Sequence, residues 1–276
     1  DGEQLRLGNR TLTFLETKML HWPDSMVSYL AEEQLLFSQD AFGMHLADAR
    51  MFADLIPEAV LDWEAKKYFA NILLPFSALI LKALDRVAAL NLPLRIIAPD
   101  HGPIWRNELV GWPLARYRRW SEQRPERRAV VVYDTMWQST ALLARGIAEG
   151  LRDAAVDHCL LPLNANNRSD VATEVLGAGA LLVGSPTING QIFPSLADVL
   201  CYLKGLRPQG LIGAAFGSYG WSGESVKQLN ALLAEMGIEV VHDGLRVRYV
   251  PGPAEQQAAR ELGRHVGTTL GERLAS

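Results

Sequence analysis

A chain of 276 residues, 49% of them hydrophobic, has room for two ordinary domains with sizeable cores, and 27 basic against 31 acidic residues leave a formal charge of −4. The basic residues are scattered and build no electrostatic patch for nucleic acid, and the longest apolar run, Ile72 to Leu84, is interrupted by Pro75 and Ser77 and falls far short of the roughly 20 residues that cross a bilayer. Two cysteines, Cys159 and Cys201, make neither a CxxC nor a disulfide framework, which fits a reducing, cytoplasmic setting.

The chain opens without an initiating Met or a signal peptide, directly in the alternation Leu5, Leu7, Leu12, Phe14 around Gly8-Asn9. That pattern predicts a β-hairpin, and it leads to the expectation that the sequence begins inside a domain. A loop His21-Trp22-Pro23-Asp24 follows, then a strand Leu35-Leu36-Phe37-Ser38 running into Asp40-Ala41-Phe42-Gly43. A long helical region is expected over Glu64 to Leu90, and a strand Leu94 to Ala98 empties into Asp100-His101-Gly102. Carboxylate and imidazole thus fall at strand exits, where a rigid sheet holds loop residues. Residues 1–110 read as one domain. Residues 111–127, with Trp112-Pro113 and Arg124-Pro125 flanking the charged stretch Leu114 to Gln123, read as a linker helix.

From 128 to 276 the pattern becomes regular βα alternation. Strands are expected at Ala129 to Tyr133, Asp157 to Leu161, Ala180 to Gly184, Leu211 to Phe216 and Glu239 to Val250, the last broken at Asp243-Gly244. Helices fall near Thr140 to Arg152, Asp170 to Ala178, Pro194 to Lys204, Gly223 to Met236 and Ala254 to Leu274. Near-continuous apolar strands between amphipathic helices predict a doubly wound, five-stranded parallel sheet covered on both faces, whose ligand site lies beyond the carboxyl ends of the strands.

Three of those strand ends carry chemistry. The first runs through Asp134-Thr135-Met136-Trp137-Gln138-Ser139-Thr140 straight into a helix. Hydroxyls, free N–H groups and a positive dipole end suit a phosphate, although Ser or Thr also begins many helices as a simple cap. The third ends in Ser185-Pro186-Thr187-Ile188-Asn189-Gly190, and the fourth in Gly217-Ser218-Tyr219-Gly220-Trp221-Ser222-Gly223. Small residues there let backbone approach a flat ring, and Tyr219 and Trp221 offer walls for it.

In order and spacing these loops resemble the phosphate loop and the two isoalloxazine loops of the flavodoxin-like domain in flavodiiron proteins. The resemblance implies FMN held by Thr135, Met136, Trp137, Gln138, Ser139, Thr140, Ser185, Pro186, Thr187, Asn189, Gly190, Ser218, Tyr219, Gly220, Trp221 and Gly223. Gln138 and Trp137 stand where short flavodoxins carry a Gly and a hydroxyl residue. No GxGxxG follows the first strand, in keeping with FMN rather than a dinucleotide.

The segments Met19 to Met26, Asp40 to His45 and Ala98 to Arg106 resemble the second half of the metallo-β-lactamase-like domain of the same family. The implied fold is therefore α/β: a partial metallo-β-lactamase-like αββα domain followed by the flavodoxin-like sheet. Within that resemblance Asp40 is the carboxylate bridging two non-haem Fe ions and His101 is a terminal ligand, while His21 and His45 are neighbours of the site. The family's H-x-E-x-D-H motif and a further His upstream of the bridging Asp find no counterpart in the 276 residues. Two ligands cannot hold two irons, so the centre is expected to be incomplete in this chain, its remaining ligands lying in a preceding or separately associated segment. The implied function is a flavodiiron oxidoreductase reducing O2 to water, NO to nitrous oxide, or both, fed by rubredoxin or a similar small donor and working as a head-to-tail homodimer. The alternative is an FMN-binding electron-transfer module with a vestigial metal site.

Overall fold

The computed structural model of the chain describes residues 2–275 and divides into two compact units, Asp1–Glu122 and Gln123–Ser276. In the first unit the strands β1 (Gln4–Leu7), β2 (Arg10–Glu16), β3 (Met26–Leu30) and β4 (Leu35–Gln39) form an antiparallel meander. Helices α1 (Glu58–Tyr68) and α2 (Ser77–Ala89) then lead to β5 (Ile96–Pro99), which joins β4 in parallel, and β6 (Trp105–Arg106) closes the order β1-β2-β3-β4-β5-β6. Helix α3 (Gly111–Ser121) completes the unit.

Strand β3 is an element the sequence reading leaves out. Its Val27 and Tyr29 are buried while Met26 is exposed, an alternation too short to stand out beside the polar loop before it. The helical stretch expected over Glu64 to Leu90 starts earlier, at Glu58, and is broken. A π-helical turn at Phe69–Leu73 and a 3-10 turn at Leu74–Phe76 separate α1 from α2. Pro75 sits in that break; it has no N–H to give and its ring opposes the carbonyl four residues back, so the ladder cannot run through. The segment expected to link the two halves is α3, whose Tyr117 and Trp120 are buried in the first unit against Phe69, with ring centroids 5.2 and 5.4 Å away.

The second unit holds β7 (Arg128–Tyr133), α4 (Ser139–Asp153), β8 (Asp157–Pro162), α5 (Arg168–Val175), β9 (Ala180–Gly184), α6 (Pro194–Leu206), β10 (Ile212–Tyr219), α7 (Glu224–Glu235), β11 (Glu239–Val240), β12 (Leu245–Arg248) and α8 (Pro253–Ala275). All strand pairs are parallel, in the order β11-β10-β9-β7-β8, with β12 also on β10. The fifth place in the sheet is thus filled by two short strands on either side of Asp243-Gly244. On one face Val131, Leu182 and Ala214 pack with Leu143 and Ile147 of α4 and with Leu262 and Val266 of α8. The alternate residues Val130, Leu181 and Val183 are equally buried, so the other face is covered too, as near-continuous apolar strands require.

Helices α4 and α8 approach to backbone contact. A Cβ on Gly150 would lie 1.9 Å from the Arg260 carbonyl oxygen, and one on Gly263 2.1 Å from that of Ile147. In an exposed helix, Gly→Ala stabilises by about 1 kcal/mol. Here the clash is with backbone that cannot step aside, and overpacking of that kind costs about 1–3 kcal/mol. Gly150→Ala is therefore expected to lower the melting temperature, and an unchanged or raised value in thermal unfolding would contradict the close packing. Beside this contact the Arg260 guanidinium grips Asp153 at 2.6 and 2.9 Å and lowers its carboxyl to about 2. A depressed carboxylate pKa stabilises the fold above the unfolded value and ceases to do so as the pH falls towards 2.

Candidate functional site

The strand order of the second unit reverses between β7 and β9, and the three candidate loops meet at that point. The Asp134 N–H donates to the Gly184 carbonyl at 3.1 Å, and the Asp134 carboxylate accepts from the Thr135 N–H at 2.7 Å and from the Ser195 hydroxyl at 2.5 Å. Thr140 Oγ1 lies 3.0 Å from Ser218 Oγ, which ties the first loop to the exit of β10. The second and third loops are joined by Thr187 N–H to the Ser218 carbonyl, 2.9 Å, and by Thr187 Oγ1 to Ser225 Oγ, 2.7 Å. Between them, a Cβ on Gly217 would lie 2.1 Å from the Ser185 carbonyl oxygen, so only glycine permits this approach.

Not every hydroxyl in these loops is available to a ligand. Ser185 donates to the Pro186 carbonyl at 2.7 Å and accepts from the Phe193 N–H at 2.8 Å, so it braces its own loop. Asn189 and Gly190 take positive φ in the turn, where the Gln228 side chain donates to the Gly190 carbonyl at 2.9 Å. Thr135 differs: its Oγ1 is buried and has no partner among the described residues. Helix α4 begins beside it at Ser139, after Gln138 with φ 66, and no side chain caps its N-terminus. A buried hydroxyl without a partner and an uncapped fifteen-residue helix together fit a phosphate. Trp137 and Trp221 are 82% and 96% exposed, so no side chain of the chain covers either ring. Sequence reasoning missed Asp134 and Glu224. The first links two loops; the second has a buried Oε2 without a partner among the described residues, and a hydrogen bond from Ser222 holds its carboxyl below the usual range. If Asp134 acts as the latch between the first loop and α6, Asp134→Ala loosens both and weakens FMN binding about tenfold, the loss of roughly one charge-assisted hydrogen bond. Equal flavin affinity by titration would remove that role.

In the first unit the candidate metal residues also meet. Asp40, at the exit of β4, places Oδ1 3.1 Å from His101 Nε2 and Oδ2 3.2 Å from His21 Nε2. The carboxylate therefore stands between two imidazoles, and His21, read from sequence as a neighbour, faces it as His101 does. A signal for it existed: His21 is a histidine on a loop one hairpin upstream of the carboxylate. His45 keeps its place as a neighbour, its ring 5.2 Å from that of His101 and 4.9 Å from that of Tyr68. The loop after Asp40 is fixed from two sides, since the Phe42 N–H donates to the Tyr117 phenol at 2.8 Å and Trp105 Nε1–H donates to the Phe42 carbonyl at 2.9 Å.

The Met44 carbonyl lies 3.2 Å from His101 Nδ1, so a proton on Nδ1 has an acceptor there and the Nε2 side is the one turned towards Asp40. A lone pair facing a carboxylate oxygen calls for a proton or a metal ion between them, and a backbone carbonyl orienting the far ring nitrogen is the usual outer support of a ligating histidine. The donor set of carboxylate and imidazole suits non-haem iron. Among the described residues no three such side chains surround a single point; the arrangement is one imidazole on each side of a shared carboxylate. Tyr68 stands 3.4 Å from His101 Nε2, and burial, with the Asp40 charge adding to it, raises its phenol above the ordinary range.

Comparison with known proteins agrees with both halves. Residues 131–263 match the family model for flavodoxin and residues 1–102 that for the ODP family beta lactamase. The chain is 44% identical over 272 residues to the nitric oxide reductase of Moorella thermoacetica, covering 98% of this chain and 68% of that protein. Among solved structures it is similar to rubredoxin oxygen:oxidoreductase from Desulfovibrio gigas, with TM-score 0.96, 41% identity and coverage of 100% of this chain and 69% of that one. It is also similar to the flavodiiron protein from Giardia intestinalis, with TM-score 0.94, 32% identity and coverage of 99% and 67%.

Proposed function

The chain belongs to the flavodiiron protein family, and from that premise we propose that it is an oxidoreductase that reduces O2 to water, NO to nitrous oxide, or both. The observation that carries the reading is the Asp40 carboxylate set between His21 and His101, on the same chain as a flavin-type crevice. When bound, FMN supplies one-electron transfer and an iron pair supplies the centre at which the gas is reduced.

The residues divide that work. Thr135, Ser139 and the N-terminus of α4 hold the phosphate, with Met136, Trp137 and Gln138 forming the outer turn. Thr140, Ser185 and Thr187 brace the crevice, and Pro186, Asn189, Gly190, Ser218, Tyr219, Gly220, Trp221 and Gly223 are the residues that would receive the ring. Asp40, His101 and His21 are the side chains that would hold iron, and the Met44 carbonyl would support His101 from its Nδ1 side. Tyr68, kept protonated by its surroundings, holds a proton beside His101. Three such donors would fill only part of the coordination of an iron pair.

A rubredoxin-type carrier as electron donor is supported by the kinship with rubredoxin-oxygen oxidoreductase. The exposed Met136, Trp137 and Trp221 around the flavin loops, and the exposed Trp22 and Met51 of the first unit, support a second copy packed head-to-tail. No helix among the described residues is long and apolar enough to cross a membrane, and two cysteines, Cys159 and Cys201, that are not joined in a disulfide suit a reducing cytoplasm.

The test is reconstitution of the protein with FMN and Fe(II), followed by flavin and iron quantitation and by O2 and NO uptake under a reductant. Bound FMN without iron, and consumption of neither gas, would leave only an electron-transfer module.

A further inference from the structure

Behind the loop that carries Asp40, the core of the first unit is not filled. A cavity of about 40 Å³ lies between the sheet, at Val27 and Leu36, and helices α2 and α3. That exceeds the roughly 10–15 Å³ one water needs, but a water also needs two to four polar partners. The lining offers few. Thr17 and Tyr117 carry its polar side-chain atoms, and the Tyr117 oxygen already accepts the Phe42 N–H at 2.8 Å. Apolar cavities of this kind stay dry and take up xenon or similarly apolar guests.

Two features tie the cavity to the site. Its wall includes Leu20 and Ala41, the chain neighbours of His21 and Asp40. Its far end adjoins two surface grooves of about 330 and 370 Å³ that flank α2: Leu84, Val87 and Leu114 stand between it and one, Thr17, Ala83 and Val87 between it and the other. The grooves carry Glu16, Arg86, Asn91 and Arg118 at the surface, and the lining turns almost wholly apolar in the cavity behind the Asp40 loop. Water and ions are disfavoured in that cavity, and a small uncharged diatomic is not.

We propose that this cavity is a binding site for small apolar gases of the size class of O2 and NO, supplying the Asp40 site from behind. The proposal deepens the reductase reading and rests on it for the supply role. Crystals of the FMN- and iron-loaded protein under xenon pressure are expected to show xenon between Leu36, Leu73 and Ile80. Ala83→Phe, which fills space where the cavity adjoins the groove, is expected to remove that xenon and to raise the KM for the gas several-fold with kcat and flavin potential unchanged. Leu84→Ala, which enlarges the space, is expected to strengthen the xenon peak, so a poorly folding Ala83 variant does not shelter the idea. No xenon in the cavity of either the wild type or Leu84→Ala overturns the gas site, and an unchanged KM in a xenon-free Ala83→Phe protein overturns the supply role. Failure of the wild-type holoenzyme to consume either gas is a failure of the reductase reading, and the xenon peak tells it apart from a failure of the cavity.

Discussion

Asp40→Asn is expected to abolish iron-dependent gas reduction, by about a hundredfold or more, while FMN stays bound. The magnitude follows from its position. Removing a group that merely orients a metal ligand costs about ten- to a hundredfold in affinity or activity, and Asp40 faces both His21 and His101 directly. Asparagine keeps the shape but gives up the charge and one of the two acceptor oxygens, so a bridge between two cations is lost. In metal-free protein the same substitution leaves the melting temperature unchanged or raises it, since it removes a carboxylate that is mostly shielded from water. Iron stoichiometry, the visible flavin spectrum and thermal unfolding together check the claim. Full iron content with full activity in the Asn variant would sink the bridging role.

Thr135→Val is the second large effect, and it is read at the flavin. The Thr135 hydroxyl is buried without a partner among the described residues, an arrangement that costs free energy unless a ligand completes it. A hydrogen bond to a charged group is worth about 1.5–3 kcal/mol, so its loss weakens FMN binding roughly ten- to a hundredfold. Valine matches the volume and removes only the hydroxyl. In the flavin-free protein the substitution is expected to be neutral or stabilising, because the orphan atom is gone. Thr140→Val behaves differently: its hydroxyl already meets Ser218 at 3.0 Å, so it destabilises the empty crevice as well. Isothermal titration with FMN alongside thermal melts separates the two cases, and equal FMN affinity in Thr135→Val and wild type would contradict the assignment.

The parts of the molecule that could be read in advance are those whose physics is local. Val130, Val131 and Val132 are buried on both faces of a parallel strand, and such strands announce themselves as unbroken apolar runs. The break of the last strand at Asp243-Gly244 was visible for the same reason, a turn dipeptide in a β-rich stretch. Strand β3 was not visible, because Met26-Val27-Ser28-Tyr29-Leu30 takes its identity from pairing with β2 and β4, partners supplied by the fold. The helical region was legible as helix, yet the consequence of Pro75, a change of hydrogen-bond ladder over eight residues from Phe69 to Phe76, was not. At the site, the residue types were readable and their duties were not. Ser185 looks like Thr135 in sequence, and only the bonds to Pro186 and Phe193 mark it as a brace. His21 reads in sequence as a neighbour of the site, because its tie to Asp40 joins two loops that meet only once β2, β3 and β4 have paired.

The glycine contact between α4 and α8 sets where the flavin anchor stands. With Gly150 against the Arg260 carbonyl and Gly263 against that of Ile147, the two helices touch through backbone, and backbone does not yield as side chains do. The N-terminal end of α4, proposed to hold the phosphate, therefore inherits its coordinates from α8. Damage far from the crevice, such as a charge or a bulky residue introduced along the inner edge of α8, will be registered first as a displaced anchor and only later as an unfolded protein. The C-terminal helix serves as the fixed post against which the cofactor cradle is aligned.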